Sequence, residues 1–419
     1  MIVAVLVAAG GLTVHALHHT APAAKSGQAP AAAAATTPSG PTVAPVAQGM
    51  ALPALGGQVA SFVLMDARTG QILSEANPNL QLAPASLVKM MTFDLALRAI
   101  SQGSIQLTQN VPLGPGVRTL SRTPGISDMY LDLPPNATVE FKTLMLGMMV
   151  PSGNDAALAV AEAVGGTATH FVSEMNAEAA KLGMTDTHFV NTNGLPGTGQ
   201  VSTALDEAIL ARHILLTYPT LYSQFTDVEW FTWTPPGQKA VGPVRNYNLL
   251  IGTDSAVTGM KSGYLPSVGW HLVTTAAQGN TELVAAVMGT ATQQASAQIS
   301  QTLLDWGFAN FQDQQVNWTQ GLPAAGLRVW EARRPEVPLA ADGGAWVVTR
   351  TGSGTLQTRI SLPASVIGPV AAGQTLGTVR LMAGKSSVAT TPITARVADP
   401  RGNLVAVAWG GFRLWLRHL

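Results

Sequence analysis

Three short stretches of the chain combine side chains suited to nucleophilic acyl transfer. Ser86-Leu87-Val88-Lys89 sets a hydroxyl three residues before an amine, and on a helix residues three apart share a face. A serine hydroxyl is a weak nucleophile until a base takes its proton, and a lysine does so only when its pKa is lowered. Burial together with a second cation lowers it. Amides at a helix start favour negative charge developing nearby. The competing reading is an ordinary helix start with a solvated lysine, because S-x-x-K alone is a loose pattern.

The second stretch, Pro151-Ser152-Gly153-Asn154, falls between two expected helices. Pro151 halts the first and Asp155 is placed to cap the second. A loop this tight can project Ser152 and Asn154 into a cleft, although the same residue types also make a plain turn. The third stretch, Lys261-Ser262-Gly263, lies in an expected strand, with Gly263 leaving room for another backbone. An edge strand there can hold an extended peptide by main-chain pairing, with Lys261 and Ser262 receiving a terminal carboxylate. A solvent-facing lysine on an edge strand is the plainer alternative. Specificity resides in the order of the three: helix start, inter-helix loop, late strand.

The elements that must position them follow from patterning. Alternation over Val59 to Met65, the turn Asp66 to Gly70 and a second strand Gln71 to Ser74 form a β-hairpin. A helix runs from near Ser86 to about Gln102, and others are expected at Phe141 to Met149, Asp155 to Val164 and Ala168 to Leu182. Strand patterns return at Val257 to Tyr264, Gly269 to Ala276 and Leu283 to Met288, before a last helix, Thr292 to Phe308. Strands at both ends with helices between imply one antiparallel sheet in which the ends meet. From about Gln314 short strands dominate, at Leu327 to Trp330, Ala345 to Val348, Thr358 to Ile360 and Thr378 to Leu381, giving a small all-β domain.

The 419 residues include 47% hydrophobic and only 11% charged, which suits two domains with well-buried cores. Lys plus Arg and Asp plus Glu both number 23, so no basic excess serves a nucleic-acid partner. No cysteine is present, which removes disulfides and thiolate chemistry. The eight histidines show no metal-binding spacing, so neither metal nor cofactor is expected. Apolar stretches at Ile2 to Ala9 and Leu12 to Leu17, with a small-x-small site at Ala21-Pro22-Ala23, read as a secretory signal over residues 1–23. Residues 24–51, rich in Ala and Pro, read as a disordered linker. Near the C-terminus Trp409, Phe412, Trp415, Leu416 and Leu419 share one side of a helical wheel, with Arg413 and Arg417 off it. Such a helix rests in a membrane interface or docks on the protein itself, and it is too short to span a bilayer.

S-x-x-K, S-x-N and K-T/S-G in this order resemble the penicillin-recognising serine enzymes. The flanking sequences Pro84 to Thr92, Val150 to Ala157 and His188 to Leu195 look like the low-molecular-mass D-alanyl-D-alanine carboxypeptidases. The resemblance covers roughly Val59 to the C-terminus. It implies an α/β transpeptidase-like domain over residues 52–312, with an antiparallel sheet flanked by helices. A small β domain over 313–400 and an amphipathic anchor helix over 401–419 would follow. It further implies a periplasmic enzyme, peripheral on the outer face of the cytoplasmic membrane, that takes the terminal D-Ala from peptidoglycan stem peptides ending in D-Ala-D-Ala. β-Lactams would be its covalent inhibitors. By the same resemblance Ser86 is the nucleophile, Lys89 its base, Ser152 a proton relay to the leaving D-Ala, and Asn154 an orienting group. Lys261, Ser262 and Gly263 bind the substrate, and the amides of Ser86 and Tyr264 form the oxyanion hole.

Departures are visible. Relatives usually read K-T-G-H-T where this chain has Lys261-Ser262-Gly263-Tyr264-Leu265. They often carry arginine between two asparagines, where this chain has Asn246-Tyr247-Asn248, and another before the closing helix, here Gln294 to Ser296. Arg245 is the adjacent candidate to substitute. Rival functions are a DD-endopeptidase, a β-lactamase and a catalytically idle wall-binding homologue.

Overall fold

The computed structural model describes residues 42–43, 50–51, 54–344 and 346–416. The expected export signal, most of the expected linker, Ala345, Arg417 and Leu419 lie outside them. Five strands form an antiparallel sheet: β1 (Ser61–Asp66), β2 (Ile72–Ala76), β3 (Val257–Leu265), β4 (Gly269–Gln278) and β5 (Thr281–Thr290). Their order is β2-β1-β5-β4-β3. The N-terminal hairpin therefore joins strands some two hundred residues away, with Phe62 opposite Val287 and Leu64 opposite Ala285. The ends of this region meet, as the pattern of strands around helices demands.

Side-chain alternation makes this sheet the middle of three layers. Val63 and Met65 face one way, into a core shared with α1 (Val88–Ser101), α2 (Phe141–Met149), α3 (Asn154–Gly165) and α4 (Ala168–Leu182). Phe62 and Leu64 face the other, against Leu303 and Leu304, which lie on a C-terminal helix of the region, Gln293–Asn310. The longest helix not anticipated from the sequence is α5 (Ala204–Thr217), whose N-cap Thr203 accepts from the Asp206 amide. Its buried residues run around most of its circumference because it lies against β1, β5, α1 and α4, so no single apolar stripe marks it. The Gln293–Asn310 helix, α6, is likewise capped, by Thr292 accepting from Ala295.

Charged groups brace the helical layer. Arg98 on α1 bonds Glu178 on α4 at 2.8 Å, Lys181 bonds the other Glu178 oxygen at 3.1 Å, and His213 on α5 stands 3.3 Å from Asp94. Both oxygens of Glu178 are thus occupied by cations of the protein itself.

Beyond α6 the chain is strand-rich. β6 (Phe311–Gln315) pairs with β7 (Trp346–Arg350), and β8 (Gln357–Ser361), β9 (Thr375–Ala383) and β10 (Ser386–Ala395) form a second antiparallel sheet. Trp318, Val347, Val379, Leu381 and Ile393 form its core. The ten-residue β10 is absent from the sequence reading, where Pro392 argues against a central strand. One correction concerns the segment read as disordered linker: Thr42–Val43 pair with β10, opposite Thr390 and Ala389. Last comes α7 (Leu404–Leu416).

Candidate active site

Ser86 sits in a single 3-10 turn, Ala85–Leu87, that leads into α1. Ala85 adopts φ +51°, a left-handed conformation that is costly for a residue with a Cβ and persists only where its surroundings fix it. Two glycines press on this turn. A methyl on Gly194 would lie 1.8 Å from the Ala85 carbonyl oxygen, and one on Gly263 would lie 3.0 Å from the Ser86 nitrogen. The backbone of β3 and that of the 188–195 segment can approach the Ser86 turn only because both positions lack side chains.

Lys89 lies one turn beyond Ser86 and is fully buried. Its Nζ is 2.9 Å from Ser86 Oγ, 3.0 Å from Asn154 Oδ1 and 2.5 Å from the Asn193 carbonyl oxygen. Two of these atoms only accept, whereas the serine hydroxyl can also donate. A neutral amine fits this environment: its two N–H groups serve Asn154 and Asn193, and its lone pair is left for the Ser86 proton. Burial is the main cause that pushes Lys89 well below the ordinary lysine range, and the nearby charge of Lys261 is the next, with Asp155 opposing. Burial plus a second cation is the combination the sequence argument required.

The inter-helix loop delivers Ser152 and Asn154. Ser152 has φ +61° and a buried Oγ with no hydrogen-bond partner among the described residues, and it lines the cleft beside Ser86. Asn154 opens α3, and its Nδ2 donates to the Ser127 carbonyl at 2.8 Å, which fixes Oδ1 toward Lys89. The N-cap of α3 is Gly153, so the expectation that Asp155 caps it is corrected. Buried Asp155 instead accepts from the amides of Met129 and Leu131, tying the 127–131 loop to the site.

Lys261 and Ser262 are buried on β3, an edge strand of the five-stranded sheet. Lys261 Nζ donates to the Ser262 carbonyl at 2.9 Å, and burial pushes its pKa down to about 7. Ser86, Ser152, Asn154, Ser262, Gly263 and Tyr264 all line one cleft of about 430 Å³. The eight residues singled out from the sequence therefore converge, with Lys89 and Lys261 beneath the floor. Among the described residues lining this cleft none carries a formal charge. Tyr247 lines it, as does Tyr264, whose ring lies 4.7 Å from that of Trp270. Arg245 does not: it pairs with Glu229 at 3.4 Å and lies over the ring of Trp230, so it is no substitute for a cleft arginine.

Sequence reasoning missed the contributions of Asn193, Gly194 and Ser127. The first two lie in the run Asn191-Thr192-Asn193-Gly194-Leu195, where a glycine after asparagines signals a left-handed turn. Ser127 and Asn193 act through carbonyl oxygens, which no residue letter reports.

Residues 52–292 match the sequence profile of the family described as D-alanyl-D-alanine carboxypeptidase. The chain is 31% identical over 354 residues to D-alanyl-D-alanine carboxypeptidase DacC of Escherichia coli K12, covering 83% of this chain and 86% of that protein. Among solved structures, penicillin binding protein 5 from Haemophilus influenzae matches with a TM-score of 0.72 at 31% identity, covering 84% of this chain and 100% of that one. Penicillin binding protein 6B from Escherichia coli matches with a TM-score of 0.68 at 29% identity, covering 83% and 98%.

Proposed function

Because the chain belongs to the D-alanyl-D-alanine carboxypeptidase family, we propose that Ser86 is the nucleophile with which it removes the terminal D-Ala from peptidoglycan stem peptides. The enzyme is a serine peptidase that forms an acyl-enzyme and takes β-lactams as covalent inhibitors. The observation that carries the residue assignment is the position of Lys89 Nζ, buried and held between Ser86 Oγ, Asn154 Oδ1 and the Asn193 carbonyl.

In this reading Ser86 Oγ attacks the carbonyl of the penultimate D-Ala while its proton passes to Lys89. The developing oxyanion is received by the amides of Ser86 and Tyr264, a preorganised pair of the kind that usually supplies the largest catalytic contribution. Ser152, whose hydroxyl has no competing partner among the described residues, carries a proton to the nitrogen of the departing D-Ala. Asn154 orients Lys89. Lys261 and Ser262 receive the terminal carboxylate, and Gly263 lets the peptide and the nucleophile turn share the β3 edge. Water then cleaves the ester, and the Ser86 proton is restored. With no arginine among the described residues of the cleft wall, carboxylate recognition rests on hydroxyls and on Lys261 beneath them.

Peptidoglycan places this chemistry in the cell envelope. Among the described residues no helix is long and apolar enough to cross a membrane. Attachment to the outer face of the cytoplasmic membrane is supported by α7, whose Trp409, Phe412 and Trp415 are exposed and stacked in series at 5.9 and 6.1 Å.

A fluorescent penicillin is expected to label the wild-type protein and to leave Ser86→Ala unlabelled. Equal labelling of the two, or none of either, defeats the assignment. Release of D-Ala from a pentapeptide, with a cross-linked dimer left uncut, separates the carboxypeptidase from an endopeptidase.

A further inference from the structure

His271 lies on β4 directly opposite Gly263 of β3, on the face of the sheet that carries the nucleophile turn. It is fully buried and lines no part of the cleft described above. Its ring spans two backbone groups. The Gly289 amide donates to Nδ1 at 2.9 Å, and Nε2 lies 3.0 Å from the Ala83 carbonyl oxygen. Because an amide only donates and a carbonyl only accepts, Nδ1 must be bare and Nε2 must carry the proton. Burial lowers the pKa of His271, which keeps the ring in this neutral form.

Both backbone groups stand at irregular points. Gly289 has φ +77° and sits where the β4–β5 register shifts between Met288 and Thr290, so the imidazole takes up an amide displaced from the regular ladder. Ala83 precedes the strained residue Ala85 by two and Ser86 by three. The sheet thus meets the nucleophile turn at two adjacent points, through the missing side chain of Gly263 and through the polar side chain opposite it.

We propose that His271 is a positioning residue for acylation: as a crossbar from the β5 bulge to the Ala83 carbonyl, it holds the strained turn that aims Ser86 Oγ at Lys89. A left-handed alanine relaxes unless its neighbours fix it, and relaxation of Ala85 moves Ser86 away from its base. His271 does not touch substrate, and it acts only through the backbone between Ala83 and Ser86.

This inference rests on Ser86 being the nucleophile, so the experiment includes wild type and Ser86→Ala. Purified full-length variants are acylated with a fluorescent penicillin, the acylation rate constant is separated from the initial affinity, and melting temperatures are recorded. His271→Gln retains an amide N–H that reaches Ala83. His271→Asn retains an acceptor for Gly289 but is too short for Ala83. Displacements of an ångström cost up to about a hundredfold in rate. The Gln variant is therefore expected within about threefold of wild type, and the Asn variant about 10- to 100-fold slower. Affinity should be unchanged, and the two variants should melt at similar temperatures. Equal acylation rates in all three proteins overturn the proposal, as do losses in both variants that simply follow their melting temperatures. If His271→Asn does not fold, His271→Met, which fills the space without either hydrogen bond, provides the same comparison against Gln. Failure of wild type to label, or labelling of Ser86→Ala, counts against the nucleophile assignment instead.

Discussion

Burial makes Lys261 costly to stability, and pH separates that cost from the substrate-binding role proposed for it. Its folded pKa of about 7 lies far below the ordinary 10.5. Between those values the unfolded chain holds more protons than the folded one, so stability rises with pH across that window, and below 7 the full cost of a buried ammonium is present. Lys261→Met is therefore expected to stabilise the fold by about 2–4 kcal/mol at pH 6 and by less at pH 9. Thermal melts at the two pH values test this, and an equal gain at both refutes it. The same variant should lose affinity for carboxylate-ended substrates. It should also move the acid limb of penicillin acylation to higher pH, because Lys261 is one of the groups that depress Lys89. Ser86, Lys89, Ser152, Asn154, Lys261 and Ser262 stand out in the sequence because three short patterns occur in one order, whereas Tyr264 is named only through the family resemblance. Ser127, Asn193 and His271 were not legible. The first two contribute carbonyl oxygens, and His271 joins positions 83 and 289, which only the folded sheet brings within reach.

At the scale of elements, the site depends on backbones approaching more closely than side chains allow. Gly194 has φ +87°, and any Cβ there collides with the Ala85 carbonyl. Gly194→Ala is expected to cost about 2–4 kcal/mol through strain and overpacking. It should also slow acylation, since the collision is relieved by shifting either the Ser86 turn or the loop whose Asn193 carbonyl holds Lys89. Urea unfolding combined with penicillin labelling checks both parts, and an unchanged labelling rate would show that the loop yields without disturbing the nucleophile. Helices with an apolar stripe and Pro or Gly at their ends, such as α2 and α4, were readable because local pattern and burial agree there. α5 escaped because burial on several sides erases its stripe, and β10 because Pro392 sits within a strand whose Thr and Ala residues give a weak signal. The pairing of β1 with β5 was readable only as a requirement, since alternation says that a strand needs a partner and not which one.

For the whole molecule, the question is what the exposed face of α7 meets. Leu404 is 88% exposed, Val405 76% and Trp415 58%, which is unusual for large apolar side chains gathered on one helix. The helix touches the rest of the chain where Gly410 packs against Glu331, while the aromatic series faces away. Docking on the protein itself, the alternative open at the sequence level, would bury this face. On the proposed membrane attachment, Arg413, whose guanidinium lies 5.2 Å from the Trp409 ring, would meet anionic headgroups while the rings enter the interface. Transfer of each aromatic side chain is worth about 2 kcal/mol. Replacing Trp409, Phe412 and Trp415 together by serine is therefore expected to lower partition onto phosphatidylglycerol-rich vesicles by about 100-fold or more. Penicillin acylation should remain at the wild-type rate, because the helix contributes nothing to the cleft. Co-sedimentation with vesicles gives the first number and labelling kinetics the second. Undiminished partition of the triple variant would mean that membrane contact is made by another part of the chain and that the aromatic face serves a different partner.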